Sequence, residues 1–259
     1  MKKMEIKHFK AGELDVRVFD KRDDMGRAAA HAAAAYINGV IEKKGVANVV
    51  FAAAPSQNDL LLHLKDEKVD WTKVRALHMD EYVGLPDDAP AGFGNFLDRA
   101  IFKEEPFKEI HYLRCGAGET PEQAVERYTE TLAQYPADLV LLGVGENGHL
   151  AFNDPSEADF NDPRAVKIVE LEDICRMQQV NDGCFERFDD VPKRAVTLTM
   201  SALLRIPGKI AVVPGEKKAN AVDRLINGPI ETACPASILR ECVGAALYLD
   251  ADSAHLALK

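Results

Sequence analysis

The sequence predicts an α/β protein, a mostly parallel sheet with helices on both faces. Three observations lead there. Short runs recur that are apolar without interruption, as strands buried on both faces are. Helical patterns separate them, as parallel crossovers require. No internal repeat, low-complexity tract or Ser/Pro-rich linker divides the chain, so residues 1–259 read as one domain. A chain of this length buries about 73% of its unfolded surface, and 47% hydrophobic residues suffice to fill that core.

Taken in order, Asp23 and Asp24 are expected to cap a helix running to about Lys44, favoured by its alanines. Residues 46–52 form a continuous apolar strand, followed by Pro55-Ser56 and a helical stretch over 58–65. A second strand spans 74–79 and ends at Asp80. A Gly/Pro/Asp-rich loop covers 84–94, and a helix then runs to about Phe102. Thr120-Pro121-Glu122-Gln123 predicts a helix start, with Thr as N-cap, Pro in the first turn and Gln placed to complete a capping box. DLVLLG at 138–143 is the clearest strand. Later strands are expected at 165–169, 195–199, 209–213 and 245–249. A helix from about Lys217 to Ile226, closed by Asn227-Gly228, lies between the last two.

Charge and cysteine usage narrow the function. Forty-two acidic against 32 basic residues give a net charge of −10, a field that disfavours nucleic acid and anionic membranes as partners. An anionic ligand then needs locally supplied positive charge. The cysteines at 115, 175, 184, 234 and 242 are odd in number and form no C-x-x-C pair, so they read as reduced thiols. The opening MKKMEIKHFK carries no apolar leader core, and no uncharged run approaches membrane-spanning length. The expectation is a soluble, cytoplasmic protein.

In open α/β sheets, ligands bind beyond the carboxyl ends of the strands. Four such ends carry unusual residues: Pro55-Ser56-Gln57, Asp80-Glu81, the loop from Gly143 to Asp154, and Pro214 to Lys218. In LHMDEYVGLP, alternation lets one of the two acids enter the crevice while the other faces elsewhere; a helix or turn cap is the competing use of such a pair. His78 and Asp80 lack a third ligand at suitable spacing, so a metal is discounted. In GVGENGHLAFNDP, Gly143-x-Gly145-x-x-Gly148 matches a dinucleotide fingerprint but opens no helix. Its glycines are better read as letting backbone approach a small ligand while presenting His149, with Asn147 and Asp154 near enough to orient the imidazole. In VVPGEKKANA, a helix start beside Lys217 and Lys218 suits an anion. A phosphate-loop motif and a Gly-x-Ser-x-Gly elbow are both lacking, which disfavours nucleotide triphosphate chemistry and serine hydrolysis.

LHMDEYVGLP at 77–86 and GVGENGHLAFNDP at 143–155 closely resemble the signature blocks of the glucosamine-6-phosphate deaminase/isomerase family. A weaker likeness runs through VPKRAVTLTMSALL, VVPGEKKANAV and CPASILR, covering about 49–250. The resemblance implies a modified Rossmann-type sheet, no cofactor, and conversion of an amino-sugar phosphate to fructose 6-phosphate and ammonia. It implies that Asp80 moves the C2 proton and that His149 opens the ring, with Asn147 and Asp154 as its partners. Lys218 and Arg176 then bind phosphate, with Ser56, Gln57, Glu81 and Gly145 completing the substrate contacts. Three positions depart from the family. Asn147 stands where many members have Asp, and Asp154 where many have the longer Glu, leaving its contact with His149 to a direct bond or a bridging water. FAAAPSQN replaces a loop usually carrying Gly and Thr.

The alternatives are a galactosamine-6-phosphate deaminase using the same residues, a 6-phosphogluconolactonase-like hydrolase, and a non-enzymatic sugar-phosphate sensor. The lactonases share the fold and a Gly-x-x-Gly-His loop but lack the blocks at 79–82 and 152–155. Sensors of this fold carry a helix-turn-helix, and no basic recognition helix is seen. Homo-oligomerisation is left open.

Overall fold

The computed structural model describes residues 5–259, so the first four residues of the charged opening stretch lie outside it. The chain begins with a hairpin that the sequence reading missed, β1 (Glu5–Ala11) and β2 (Leu14–Phe19). β1 is nearly all exposed and so has no apolar face to betray it. α1 (Arg22–Lys44) follows. Lys21 is its N-cap and makes no side-chain cap; Asp23 and Asp24 lie inside the first turn, where they favour the helix dipole rather than cap it.

Then come β3 (Ala47–Phe51), α2 (Asn58–Lys65), β4 (Val74–His78) and β5 (Asp80–Tyr82). α3 (Phe93–Leu97) continues through a π-helical turn to Phe102 and leads to β6 (Glu109–His111). α4 (Pro121–Gln134) starts with the expected capping box: Thr120 and Gln123 each bond the other's backbone N–H. β7 (Leu139–Leu142), β8 (Val166–Glu170), α5 (Asp173–Asn181) and β9 (Arg194–Leu198) follow. α6 (Met200–Arg205), β10 (Gly208–Val213), α7 (Ala219–Asn227), β11 (Ala245–Asp250) and α8 (Ala251–Ala254) complete the chain. Among the described residues no helix is long and apolar enough to cross a membrane.

The main sheet has the order β1-β2-β11-β10-β7-β3-β4-β6, parallel throughout except for β1 on β2. Side chains alternate between two apolar layers. Val49, Phe51, Leu139 and Leu141 enter the layer with α1 and α2; Val50, Val140 and Leu142 enter the layer on the other face. The expected α/β class holds. The strands expected at 165–169 and 195–199, however, are not in this sheet. As β8 and β9 they pair antiparallel with each other and with β5 in a separate three-stranded sheet of order β5-β9-β8. Apolar composition marks a buried strand without saying which neighbour it pairs with.

Candidate active site

From β3 the chain steps outward to β4 and β6, then returns to place β7 on the other side of β3. The order reverses there, so the loops leaving β3 and β7 part and open a crevice at their carboxyl ends. Ala53, Ala54 and Ser56 line it from the β3 side, and Gly143 and Gly145 from the β7 side. The loop after β10 contributes Lys218, and the small sheet contributes Asp80. All four strand ends singled out in the sequence therefore meet in one cleft.

The glycine loop positions His149. Its imidazole lies so close to Gly145 that an added Cβ would sit 2.2–2.4 Å from the ring atoms. Gly145 thus makes room for the protein's own histidine rather than for a ligand, and its N–H is already given to the His149 carbonyl at 3.0 Å. Gly148 has φ +90°, and a Cβ there would meet Cys234 Sγ at 2.6 Å. Beyond the loop, Ala151 takes φ 52° against the cleft, the one non-glycine in the left-handed region among the described residues. Such strain persists where surrounding structure imposes it.

His149 Nδ1 lies 2.9 Å from Asp154 Oδ1, a direct contact that leaves no place for a bridging water. Asn147 joins the pair: its Nδ2 donates to Asp154 Oδ1 at 2.9 Å, and its Oδ1 accepts from the backbone N–H of His149 at 3.1 Å. A carboxylate at 147 could not donate to Asp154 in this way. Burial pushes the Asp154 carboxyl up. The bond and charge of His149, the Asn147 amide and the Glu172 N–H outweigh that and hold it below the usual range.

Asp80 differs. Burial and the neighbouring Glu81 charge push its carboxyl well above the ordinary carboxylate range. Across the cleft Lys218 is 6% exposed and forms no ion pair among the described residues. Burial lowers its ammonium from the ordinary lysine value, while Asp182 and Glu146 oppose that.

Four predicted ligand contacts are placed otherwise. Glu81 turns away from the cleft and accepts the N–H groups of Tyr82, Phe93 and Gly94 at 2.9, 3.0 and 2.8 Å, capping α3. Arg176 also points elsewhere: it donates to the carbonyls of Val191 and Phe188 and lies 4.0 Å over the Phe188 ring. Gln57 sits beneath the cleft, where its amide donates to Ser56 Oγ and to the Leu142 and Val212 carbonyls, tying together the ends of β7 and β10. Gly145 lines the cleft but has no free N–H.

Two polar lining residues were missed. Gln178 and Gln179 of α5 present side-chain amides where a second cation was expected. They follow Arg176 by two and three positions, and without the helix's rotation the charged residue draws the eye. Cys175 was also missed as part of the site. Its thiol, with one donor atom each of His149 and Asp154, forms a trio within 4.8 Å of one another.

Comparison with known proteins agrees with this geometry. The sequence profile of the glucosamine-6-phosphate isomerases/6-phosphogluconolactonase family matches residues 20–248. A glucosamine-6-phosphate deaminase of Bacillus thuringiensis (strain Al Hakam) is 33% identical over 220 residues, covering 85% of this chain and 82% of that one. Among solved structures, a monomeric glucosamine-6-phosphate deaminase superposes with TM-score 0.83 at 24% identity, covering 93% of this chain and 99% of that one. A 6-phosphogluconolactonase from Trypanosoma brucei reaches 0.76 at 18% identity, covering 96% and 99%. These likenesses fix the modified Rossmann-type fold, and with the profile match across both signature blocks the chain belongs to the glucosamine-6-phosphate isomerase/6-phosphogluconolactonase family.

Proposed function

We propose that the protein is an enzyme that converts glucosamine 6-phosphate and water to fructose 6-phosphate and ammonia. The observation carrying this reading is a buried carboxylate without a hydrogen-bond donor among the described residues, Asp80, in one cleft with the His149–Asp154 pair and the cation of Lys218. His149 passes a proton to the ring oxygen and opens the sugar. Asp80 takes the proton from C2 and returns it at C1, leaving an imine at C2; water adds there, the C–N bond breaks, and ammonia departs as the C2 carbonyl forms. A carboxyl whose pKa is raised by burial is a stronger base than an ordinary aspartate, which suits carbon-proton transfer. Asp154 holds the imidazole, and Asn147 holds Asp154 and the His149 backbone. Lys218 takes the phosphate with the Ser56 hydroxyl and the N–H groups of the β3 loop, whose position at the switch point supports anion binding.

The roles of Arg176 and Glu81 are revised: neither faces the cleft, so phosphate recognition falls to one cation plus the amides of Gln178 and Gln179. Coupled assays for ammonia and fructose 6-phosphate test the reading, with equal amounts of both expected. Acid release from 6-phosphogluconolactone without ammonia would replace it with lactone hydrolysis, and turnover of galactosamine 6-phosphate alone would change the sugar but not the chemistry. Tight binding without turnover would make the protein a sensor.

A further inference from the structure

We propose that His149, Asp154 and Cys175 form a site for a thiophilic divalent cation of the zinc class, whose capture takes His149 out of turnover. Each residue offers one donor atom, nitrogen, oxygen and sulfur, and the three lie within 4.8 Å of one another. That set suits zinc, which binds imidazole, carboxylate and thiolate in tetrahedral sites. Bonds of about 2.0–2.3 Å imply donor separations of about 3.3–3.8 Å. His149 Nδ1 and Asp154 Oδ1, now 2.9 Å apart, need only spread slightly while the sulfur closes in.

All three residues are buried, at 8%, 0% and 0% exposure, so a metal gathered there would be shielded from solvent. His149 lines the cleft, which gives the cation its entry path and leaves the fourth coordination position for water. The proposed reaction gives Cys175 no task. Coordination, by contrast, would displace its thiol proton and take up the Nδ1 position at which His149 contacts Asp154. The Asn147 amide, bonded to the same Asp154 oxygen, is then the group that must yield.

The inhibitory half of this inference rests on the roles proposed for His149 and Asp154; the binding half does not. The full chain is titrated with Co²⁺ alone and with Zn²⁺ alone, without sugar phosphate. One Co²⁺ per chain is expected, with a near-ultraviolet thiolate-to-metal band that Zn²⁺ displaces. Cys175→Ser removes the band and weakens binding by at least about tenfold, whereas Cys184→Ser, which changes a thiol outside the trio, keeps it. An unchanged band in Cys175→Ser, or no binding at micromolar metal, overturns the proposal. Should Cys175→Ser fail to fold, His149→Ala probes the same trio from the cleft side. In turnover assays Zn²⁺ inhibits, excess sugar phosphate relieves the inhibition, and Cys175→Ser blunts it relative to that variant's own zinc-free rate. A protein that binds cobalt but never releases ammonia defeats the proposed function alone. One that turns over yet binds no metal defeats this inference alone.

Discussion

Asp80 and Glu81 are adjacent on β5, yet their surroundings are opposite. Both are nearly excluded from solvent, at 5% and 6% exposure. Glu81 has three backbone N–H groups to satisfy its charge and closes the start of α3. Asp80 has none among the described residues and faces the cleft. Burial raises the carboxyl pKa of both, but only for Glu81 do hydrogen bonds offset it. A satisfied buried charge holds structure together. An unsatisfied one facing a cleft is held at a cost in stability, and that cost marks it as chemical. Lys218 and Arg176 repeat the contrast, one cation free in the cleft and the other spent on carbonyls and an aromatic ring.

The largest expected effect is at Asp80. Asp80→Asn should lower kcat by about 10²–10⁴-fold while raising thermal stability. The sign follows from linkage: the folded pKa lies above the unfolded one, so the folded state favours the protonated form and loses stability as pH rises through the folded value. Asparagine removes that loss, and a gain on the order of 1 kcal/mol, about 2–4 °C, is expected at neutral pH. Unchanged turnover, or a lower melting temperature, would erase the distinction from Glu81. The same shift places the acidic limb of the kcat/KM profile above the pH of an ordinary aspartate, because the base must be ionised to act; the limb should vanish in Asp80→Asn.

Next comes Gly145→Ala, whose methyl must push the His149 ring aside; a displacement of that kind costs about 10²-fold in kcat. Lys218→Gln should raise KM by about 10–100-fold, the equivalent of one charge-assisted contact, with kcat less affected. Arg176→Gln tests the other member of that pair: KM should stay within about threefold while stability falls by about 1–3 kcal/mol, as carbonyl partners are lost. Glu81→Gln should behave like it, losing about 1–3 kcal/mol in chemical denaturation as an amide replaces the charge that three N–H groups share. A large rise in KM for either would return them to the binding site.

Much of the fold was legible because it is local. Thr120-Pro121-Glu122-Gln123 encodes its own helix start, and the apolar runs of β3, β7, β10 and β11 could hardly be anything but buried strands. β1 was not legible because its side chains are exposed, and β8 and β9 were assigned to the wrong sheet because pairing is a property of two strands. In the site, the signature blocks pointed to Asp80, His149, Asn147 and Asp154, which the structure brings to one place. Arg176 failed for a geometric reason: on α5 it sits on a face turned from the cleft, while Gln179, one turn later, reaches it.

By itself the sequence determined most of the buried strands and the helices between them, which strand ends carry reactive side chains, and that two adjacent acids follow a buried strand. These follow from periodicity, propensity and turn chemistry within a few residues. Only the tertiary structure decided which acid faces the cleft, that Asn147 bridges Asp154 and His149, that Cys175 comes up beside them, and that Gly145 yields its space to the imidazole. Each of these depends on what another part of the chain places opposite. Burial and hydrogen bonding, which set the chemistry of a carboxylate, exist only once that opposite surface is in position.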